Sequence, residues 1–496
     1  MSLQQVKKNL TTERPTLRLL TSDDIENIHN TSLTILEKTG VIIKNHEALN
    51  LLKKSGCEVD LNKKTTYIPQ HLVKECLDKT RPIITLYGRD GKSHMDIGEN
   101  NVVFNPGSSA VYFNDHKTGE IRQPFSEDLV HLVRLVDALK HIQAQSTALV
   151  PSEVPEAIGD LYRLYLVLKN SPKPIITGAF TKQGLIEMKR LLETVAGGED
   201  HLKSKPLAIF DCCPSSPLMW SDTTCQNLID CAKFGLPAEI IPAPQMGATS
   251  PATLAGTLVQ FNAEFLSGLV ISQTAKSGAP VIYGGSPTTF DMRYLSSRLG
   301  SIENMMTACA AAQIAKHYRL PSHAYLGLSD SKMIDAQCGI ESGIGTILGT
   351  LAGVNVISGP GMLIFENCQS LEKLVIDNDI CGMALRLVEG IKADPDRLAF
   401  DVISKVGPGG HYLAEKHTLK WFEKEQFMPS DVIDRSTLEV SRKQKTEEMI
   451  TRARDTVDRI LKEHVPEPLS SETERNLGET LKEIMSRYKI KSVPII

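Results

Sequence analysis

The chain has 496 residues, of which 41% are hydrophobic and 23% charged, and its formal net charge is −4. That length suits one large domain with appendages, or two or three smaller ones, with the composition of an ordinary globular protein. The near-neutral balance, with no basic stripe, excludes an electrostatic footprint for nucleic acid, and Met1-Ser2-Leu3-Gln4-Gln5 lacks the cationic-then-apolar start of a secretory signal, so a cytoplasmic protein is expected.

Residues 1–100 are expected to form an α/β lead-in. Asp23 to Lys38 has amphipathic spacing with Thr21 or Ser22 as N-cap. A second helix is predicted around Glu47–Lys54, with short strands near Thr65–Ile68 and Ile83–Tyr87. From about residue 101 to 385 a rhythm follows. Runs of β character occur at Val102–Phe104, Gln143–Val150, Pro174–Thr177, Leu207–Phe210, Glu239–Ile241, Pro280–Tyr283, His323–Leu326 and Val354–Ile357. Helical patterns lie between most of them, at Asp160–Lys169, Leu185–Val195, Ser221–Phe234, Ala252–Lys276 and Ile302–His317. Eight strands alternating with helices predict an α/β fold of the (β/α)8 TIM-barrel type. An open doubly wound sheet would want a Gly-x-Gly-x-x-Gly turn after an early strand, and none is present.

Ser342 to Phe365 carries no charge, yet Asn355, Ser358 and the Gly359-Pro360-Gly361 break suit a buried helix followed by a strand better than a membrane span. The ten cysteines are scattered without metal-type pairing, as expected for free thiols and no metal site. Residues 386–496 form the C-terminal extension: a loop at Gly407–Tyr412, a helix around Leu413–Phe422, and charged amphipathic helices at Ser436–Glu463 and Ser471–Tyr488, whose charges read most simply as solvated faces.

The loops after the predicted strands are short and rich in Gly, Pro and Ser. Among them are Asn105-Pro106-Gly107-Ser108-Ser109, Asp211-Cys212-Cys213-Pro214, Pro242-Ala243-Pro244-Gln245, Gly284-Gly285-Ser286-Pro287 and Gly327-Leu328-Ser329-Asp330. In a barrel they ring the C-terminal face, where chemistry is done. Gly and Pro that merely end strands are the plain alternative.

Three segments together carry a resemblance. Gly284-Gly285-Ser286-Pro287 with Asp291-Met292-Arg293, Gly327–Lys332 with Asp335 and Gln337, and Gly407-Pro408-Gly409-Gly410-His411 resemble the trimethylamine methyltransferase superfamily over nearly the whole chain. The resemblance implies a barrel enzyme that passes a methyl group from an amine to the cobalt of a corrinoid carried by a separate protein, within one-carbon metabolism of the methanogenic kind. Members acting on trimethylamine carry pyrrolysine near the stretch that here reads Lys332-Met333-Ile334-Asp335-Ala336, all ordinary residues. For a non-pyrrolysine member it implies a quaternary amine, glycine betaine first, with proline betaine and carnitine as alternatives. Dimethylglycine would be the product from glycine betaine. A barrel lyase or hydrolase, and a non-catalytic betaine-binding protein, are the competing readings.

A quaternary nitrogen leaves as a neutral tertiary amine and needs no proton, so positioning suffices. Corrinoid carriers commonly show Asp-x-His-x-x-Gly; Asp115-His116-Lys117-Thr118-Gly119 has the wrong spacing, so no cofactor is expected on this chain and the cobalamin arrives on its partner. No nucleic-acid or membrane partner is expected, and the C-terminal helices could serve a homo-oligomer.

A trimethylammonium group is best held by aromatic faces, each contributing about 0.5–2 kcal/mol. The aromatic candidates near strand ends are Phe104, Tyr112, Tyr283, Phe290 and Phe365, each of which could equally be core. For a substrate carboxylate the candidates are Arg293, Lys332 and His411, oriented by Asn105, Gln245 and Gln337. Arg293 could instead pair with Asp291. Gly284 and Gly285 are assigned to the catalytic centre, the missing side chains leaving room for substrate and corrin; a turn needed only for chain reversal is the alternative. Asp335 and Glu366 are counted with the catalytic set but expected behind the substrate or in a structural role, Glu366 being the one of the two to touch the site, because a fixed carboxylate on the cation would oppose loss of its charge.

Overall fold

In the computed structural model, which describes residues 14–107, 109–444 and 447–494, eight short parallel strands close into a barrel. They are β1 (Val103–Asn105), β2 (Gln145–Ser146), β3 (Ile175–Thr177), β4 (Ala208–Cys212), β5 (Ala238–Ile240), β6 (Val281–Tyr283), β7 (His323–Tyr325) and β8 (Val356–Ser358). Strands β2 to β6 pair in chain order, and β7 pairs β8, which pairs β1. Two joints close the ring. Tyr283 bridges Ser322 in parallel, and Phe104 O accepts from the backbone N–H groups of Gln143 and Ala144. Each strand is followed by a helix: α1 (Ser126–Ala138), α2 (Gly159–Asn170), α3 (Lys182–Ala196), α4 (Asp222–Phe234), α5 (Leu254–Ala275), α6 (Ile302–His317), α7 (Ala336–Ala352) and α8 (Leu371–Val388). The rhythm read from the chain is this barrel. Met1–Gln5, expected as the start of the chain, and Ser108, expected in a loop, lie outside the described residues.

Alternation along the strands divides the interior. Val103, Ala144, Ile176, Ile209, Ile282 and Val356 point inward at the N-terminal end, and that end is plugged by an antiparallel hairpin, Ile83–Tyr87 with His94–Gly98. The hairpin adds Ile84, Leu86, Met95 and Ile97 to the same cluster. The floor is therefore dry, and the barrel opens only toward its C-terminal face.

Helix α5 is apolar almost all round and long enough to cross a membrane, but 78% of its most apolar stretch is buried inside the protein. The N-terminal helix Ser22–Lys38, capped by Thr21, lies against it, and Ser32 Oγ donates to Val259 O (2.9 Å). The uncharged 342–365 stretch resolves into α7 and β8, a helix then a strand, but α7 is not wholly buried: Ile340 and Ile344 are exposed. The charges of the C-terminal helices are not all solvated. Glu187 on α3 is fully buried, and Arg190 together with Arg487 of helix Ser471–Arg487 holds it at 2.9 and 2.8 Å. The predicted Ser436–Glu463 helix is seen as Leu438–Gln444 and Met449–Glu463; residues 445–446 lie outside the described residues.

Candidate active site

Above the apolar floor the inward positions turn polar. They are Asn105 on β1, Asp211 on β4, Glu239 on β5, His323 and Tyr325 on β7, and Ser358 on β8. Glu239 and His323 are buried, and His323 Nδ1 lies in ion-pair contact with Glu239 Oε1. The other ring nitrogen, Nε2, is 2.6 Å from Ser358 Oγ, which in turn donates to Asn105 Oδ1. A polar chain thus crosses the barrel from β5 through β7 and β8 to β1.

On the other side of Glu239 stands Asp211. Burial, then the charge of Glu239 and a hydrogen bond to it, then Glu366, push the Asp211 carboxyl well above the usual range. Two carboxyl groups so close cannot both ionise cheaply, which favours the protonated form of Asp211. Burial, then Glu366, Asp211 and Glu239, raise the Tyr325 hydroxyl in the same way. Cys213 is solvent-accessible, yet the crowding of protein around its thiol and the same three acids raise it, which favours the neutral thiol. Arg163 of α2 is fully buried beside this group, its Nη1 donating to Ser109 Oγ (3.1 Å) and Thr147 O (2.9 Å). Burial lowers the Arg163 guanidinium to about 10, countered by Asp160 and Asp211. Among the described residues, no three His, Cys, Asp or Glu side chains are arranged to hold a metal ion.

Glu366 enters from the loop after β8. Ile364, Phe365 and Glu366 all take positive φ (54°, 53° and 70°), three successive left-handed residues without a glycine. Each costs about 1 kcal/mol or more and persists only where the surroundings enforce it. Here Asn367 Nδ2 donates to Ile364 O (3.1 Å) and Phe365 O (3.0 Å), and Ile364 N donates to Ser331 O (3.0 Å). The turn aims Glu366 into a cavity of 310 Å³ that Gln245, Ser286, Thr288, Ser297 and Phe365 also line. Burial pushes its carboxyl up to about 8. A wider cavity of 630 Å³ shares Ser296 and Phe365 with the first, and Arg293, Arg298, Asp330 and Lys332 line it. The Lys332 ammonium sits 4.2 Å from the Phe365 ring centroid and donates to Asp330 O (2.9 Å).

The residues proposed from the sequence divide sharply on this geometry. Asn105, Gln245, Lys332, Phe365 and Glu366 do stand at the mouth or in the interior. Phe104 and Tyr283 do not form a cage: they face outward into the helix layer, because β1 and β6 turn their neighbours inward. Phe104 packs with Met305 and Ala308 of α6, and Tyr283 lies 4.2 Å from the Phe265 ring centroid with its hydroxyl on Asn262 Oδ1 (3.0 Å). Tyr112 is exposed on a strand, Tyr112–Asn114, that pairs outside the barrel ring. Phe290 is half-buried in the hairpin Thr288–Asp291/Ser296–Arg298.

Arg293 is spent on Asp291, at 3.0 Å, with its own side chain 73% exposed. Gln337 lines the wider cavity as expected, with its amide donating to Glu341 Oε1 (3.0 Å) at the exposed start of α7. Asp335 is the N-cap of that helix, accepting from Cys338 N (3.0 Å), and is not in the barrel. His411 is exposed and does not line either cavity.

The glycine pair has a partner other than substrate. A Cβ on Gly284 would lie 2.7 Å from the Glu239 side chain, and one on Gly285 would lie 2.2 Å from the Phe261 ring and 2.7 Å from Pro242 O. The missing side chains make room for the protein's own acid and core. Sequence reasoning passed over Asp211, Glu239, His323, Tyr325 and Arg163. A charged residue inside an apolar strand run, as in Ala238-Glu239-Ile240 or Ala208-Ile209-Phe210-Asp211-Cys212, is the signal that could have found two of them.

The match to known proteins covers the whole of this architecture. The family model described as trimethylamine methyltransferase (MTTB) matches residues 1–487. The chain belongs to the trimethylamine methyltransferase family. It is accordingly a methyltransferase of the methylamine and betaine type. A relative named glycine betaine methyltransferase, from Desulfitobacterium hafniense (strain Y51), is 34% identical over 465 residues, covering 93% of this chain and 96% of that one. The trimethylamine methyltransferase MttB of Desulfitobacterium hafniense (strain DSM 10664 / DCB-2) is 31% identical over 468 residues, 94% of each chain. Among solved structures, the Methanosarcina barkeri monomethylamine methyltransferase (MtmB) aligns over 92% of this chain and 97% of its own, with 12% identity and a TM-score of 0.48.

Proposed function

We propose that this family member takes a methyl group from a betaine, glycine betaine first, and delivers it to the Co(I) centre of a corrinoid on a separate protein, leaving dimethylglycine. The observation that carries the reading is the polarity of the mouth: carboxyl groups and a phenol below (Asp211, Glu239, Glu366 and Tyr325), an ammonium on an aromatic ring above (Lys332 on Phe365). A betaine is a short dipole with a cation at one end and an anion at the other. The acid-rich interior suits the first, and Lys332 with Gln245 suits the second. Trimethylamine offers no anionic end for Lys332, and the stretch from Lys332 to Ala336 holds only ordinary residues.

A docked corrinoid supplies the Co(I) nucleophile. The rim suits an acceptor that arrives from outside: Met292, Tyr294 and Leu295 stand 65%, 77% and 77% exposed beside the wider cavity, an apolar edge for a flat macrocycle and its carrier. The chain's own residues hold the cation, orient its carboxylate and keep water from the dry floor. No proton need move for the C–N bond to break. The test is incubation of the purified chain with a reduced corrinoid protein and, separately, glycine betaine, proline betaine, carnitine and trimethylamine, with the amine product identified by mass spectrometry. Dimethylglycine from glycine betaine is expected. Turnover of trimethylamine alone would overturn the reading, and turnover of another betaine alone would change the substrate while keeping the chemistry.

A further inference from the structure

A carboxyl group facing a cation poses a problem for methyl transfer. If its charge is permanent it stabilises the substrate and is left buried without a partner once the nitrogen becomes neutral, which disfavours the product state. The surroundings of Glu366 resolve this. Its carboxyl faces the 310 Å³ cavity, and among the described residues no lysine, arginine or histidine pairs with it. The acidic groups around it are Asp211 of β4, Cys213 of the following loop, Glu239 of β5 and Tyr325 of β7; the basic groups of the same cluster face other acids, Arg163 of α2 toward Asp160 and Asp211 and His323 of β7 on Glu239. Lys332 at the rim is engaged with the Phe365 ring and Asp330 O. A strained turn of three left-handed residues, tied by Asn367, is maintained to place the carboxyl there.

Resting on the betaine reading above, we propose that Glu366 is a titrating counter-ion, protonated in the empty cavity, ionised while a quaternary ammonium group occupies it, and protonated again once the methyl group has left. The pocket then carries negative charge only while the nitrogen carries positive charge. The balance is simple. On binding, the carboxyl O–H breaks and its proton goes to solvent. On transfer, the C–N electron pair stays on nitrogen, the methyl group goes to Co(I), and the carboxylate takes a proton back from solvent. Burial, which pushes this carboxyl up to about 8, supplies the proton at neutral pH, and an opposite charge within about 4–6 Å lowers such a group by about 1–3 units.

The experiment is calorimetric titration of the full chain with glycine betaine at pH 7, in buffers of different ionisation enthalpy. The expected result is release of about 0.8 proton per bound betaine, from a group moving from about 8 to about 6. Glu366→Gln should bind more weakly, about tenfold, and release none. Binding by the wild type without proton release overturns the proposal. The same release from Glu366→Gln also overturns it, and assigns the proton to the Asp211–Glu239 pair. Failure of glycine betaine to bind at all refutes the betaine reading instead. Ligand-difference infrared spectroscopy of the wild type serves if the variant does not fold: a carboxylic-acid carbonyl band must be lost on binding, and an unchanged band refutes the counter-ion.

Discussion

Substituting each glycine of the 284–285 pair with alanine should produce two different failures. At Gly285 the backbone has φ +144°, and an added Cβ would lie 2.2 Å from Phe261 Cε2 and 2.7 Å from Pro242 O. Phe261 is 1% exposed and packed in the main core, so it has little freedom to retreat. Overpacking of this kind costs about 1–3 kcal/mol, and the backbone conformation adds about 1–2 kcal/mol. Gly285→Ala should therefore lose about 2–5 kcal/mol. At about 2.1 cal/mol/K per residue, a chain of this length unfolding as one unit has an entropy near 1 kcal/mol/K, so Tm falls by about 2–5 °C. At Gly284 φ is ordinary, and the Cβ meets Glu239 Cγ and Oε1 at 2.7 Å. A side-chain end can shift where a backbone carbonyl cannot, so Gly284→Ala should cost about 1 kcal/mol in stability. It should nonetheless pull Glu239 off His323 and Asp211, and weaken betaine binding by tenfold or more. Differential scanning calorimetry reads the first effect and ligand titration the second. If Gly285→Ala keeps its Tm while losing activity, the pair clears space for substrate and the packing argument is wrong.

Lys332→Met should weaken glycine betaine about fivefold, the worth of about 1 kcal/mol for a rim charge, and leave choline, which lacks the carboxylate, unchanged; equal losses would remove Lys332 as the carboxylate reader. Glu366 is raised to about 8 when folded against an ordinary value of 4.5, so between those pH values the unfolded chain gives up a proton that the folded chain keeps, and stability falls as pH rises. The Tm advantage of Glu366→Gln over wild type should grow from about pH 5 to pH 8 and then level off; a constant difference would refute this. The Glu187 carboxyl is lowered overall: burial raises it, but Arg190, Gln183 and Arg487 outweigh that. Its contribution is present above the unfolded value and lost as pH falls through the lower folded one, so Glu187→Gln should be less stable than wild type at pH 7 and converge with it once pH has fallen below the folded value. Arg487→Ala should lower Tm by about 1–2 °C at pH 7, since Arg190 and Gln183 remain on Glu187.

The barrel could be read from the chain because its evidence is local. Strand runs such as Pro280–Tyr283 and His323–Leu326 are apolar over three or four residues, and helices such as Ile302–His317 carry their own caps. Those patterns require no knowledge of what packs against them. Glu366 and Lys332 were also within reach, since both stand in the short loops that a barrel must place around its mouth.

What the chain could not disclose by itself is which way each strand residue faces. Tyr283 and Glu239 sit on neighbouring strands, one turned to the helices and the other to the barrel axis; a shift of one residue in either strand would exchange such roles. That register is decided by the ring as a whole, through the Tyr283–Ser322 bridge and the hydrogen bonds from Gln143 and Ala144 to Phe104. The sequence alone therefore determined the alternation, the loops and the family. Only the closed barrel brought Asp211, Glu239, His323 and Tyr325 to one axis, because four side chains spread over more than a hundred residues become neighbours only when the first and last strands meet.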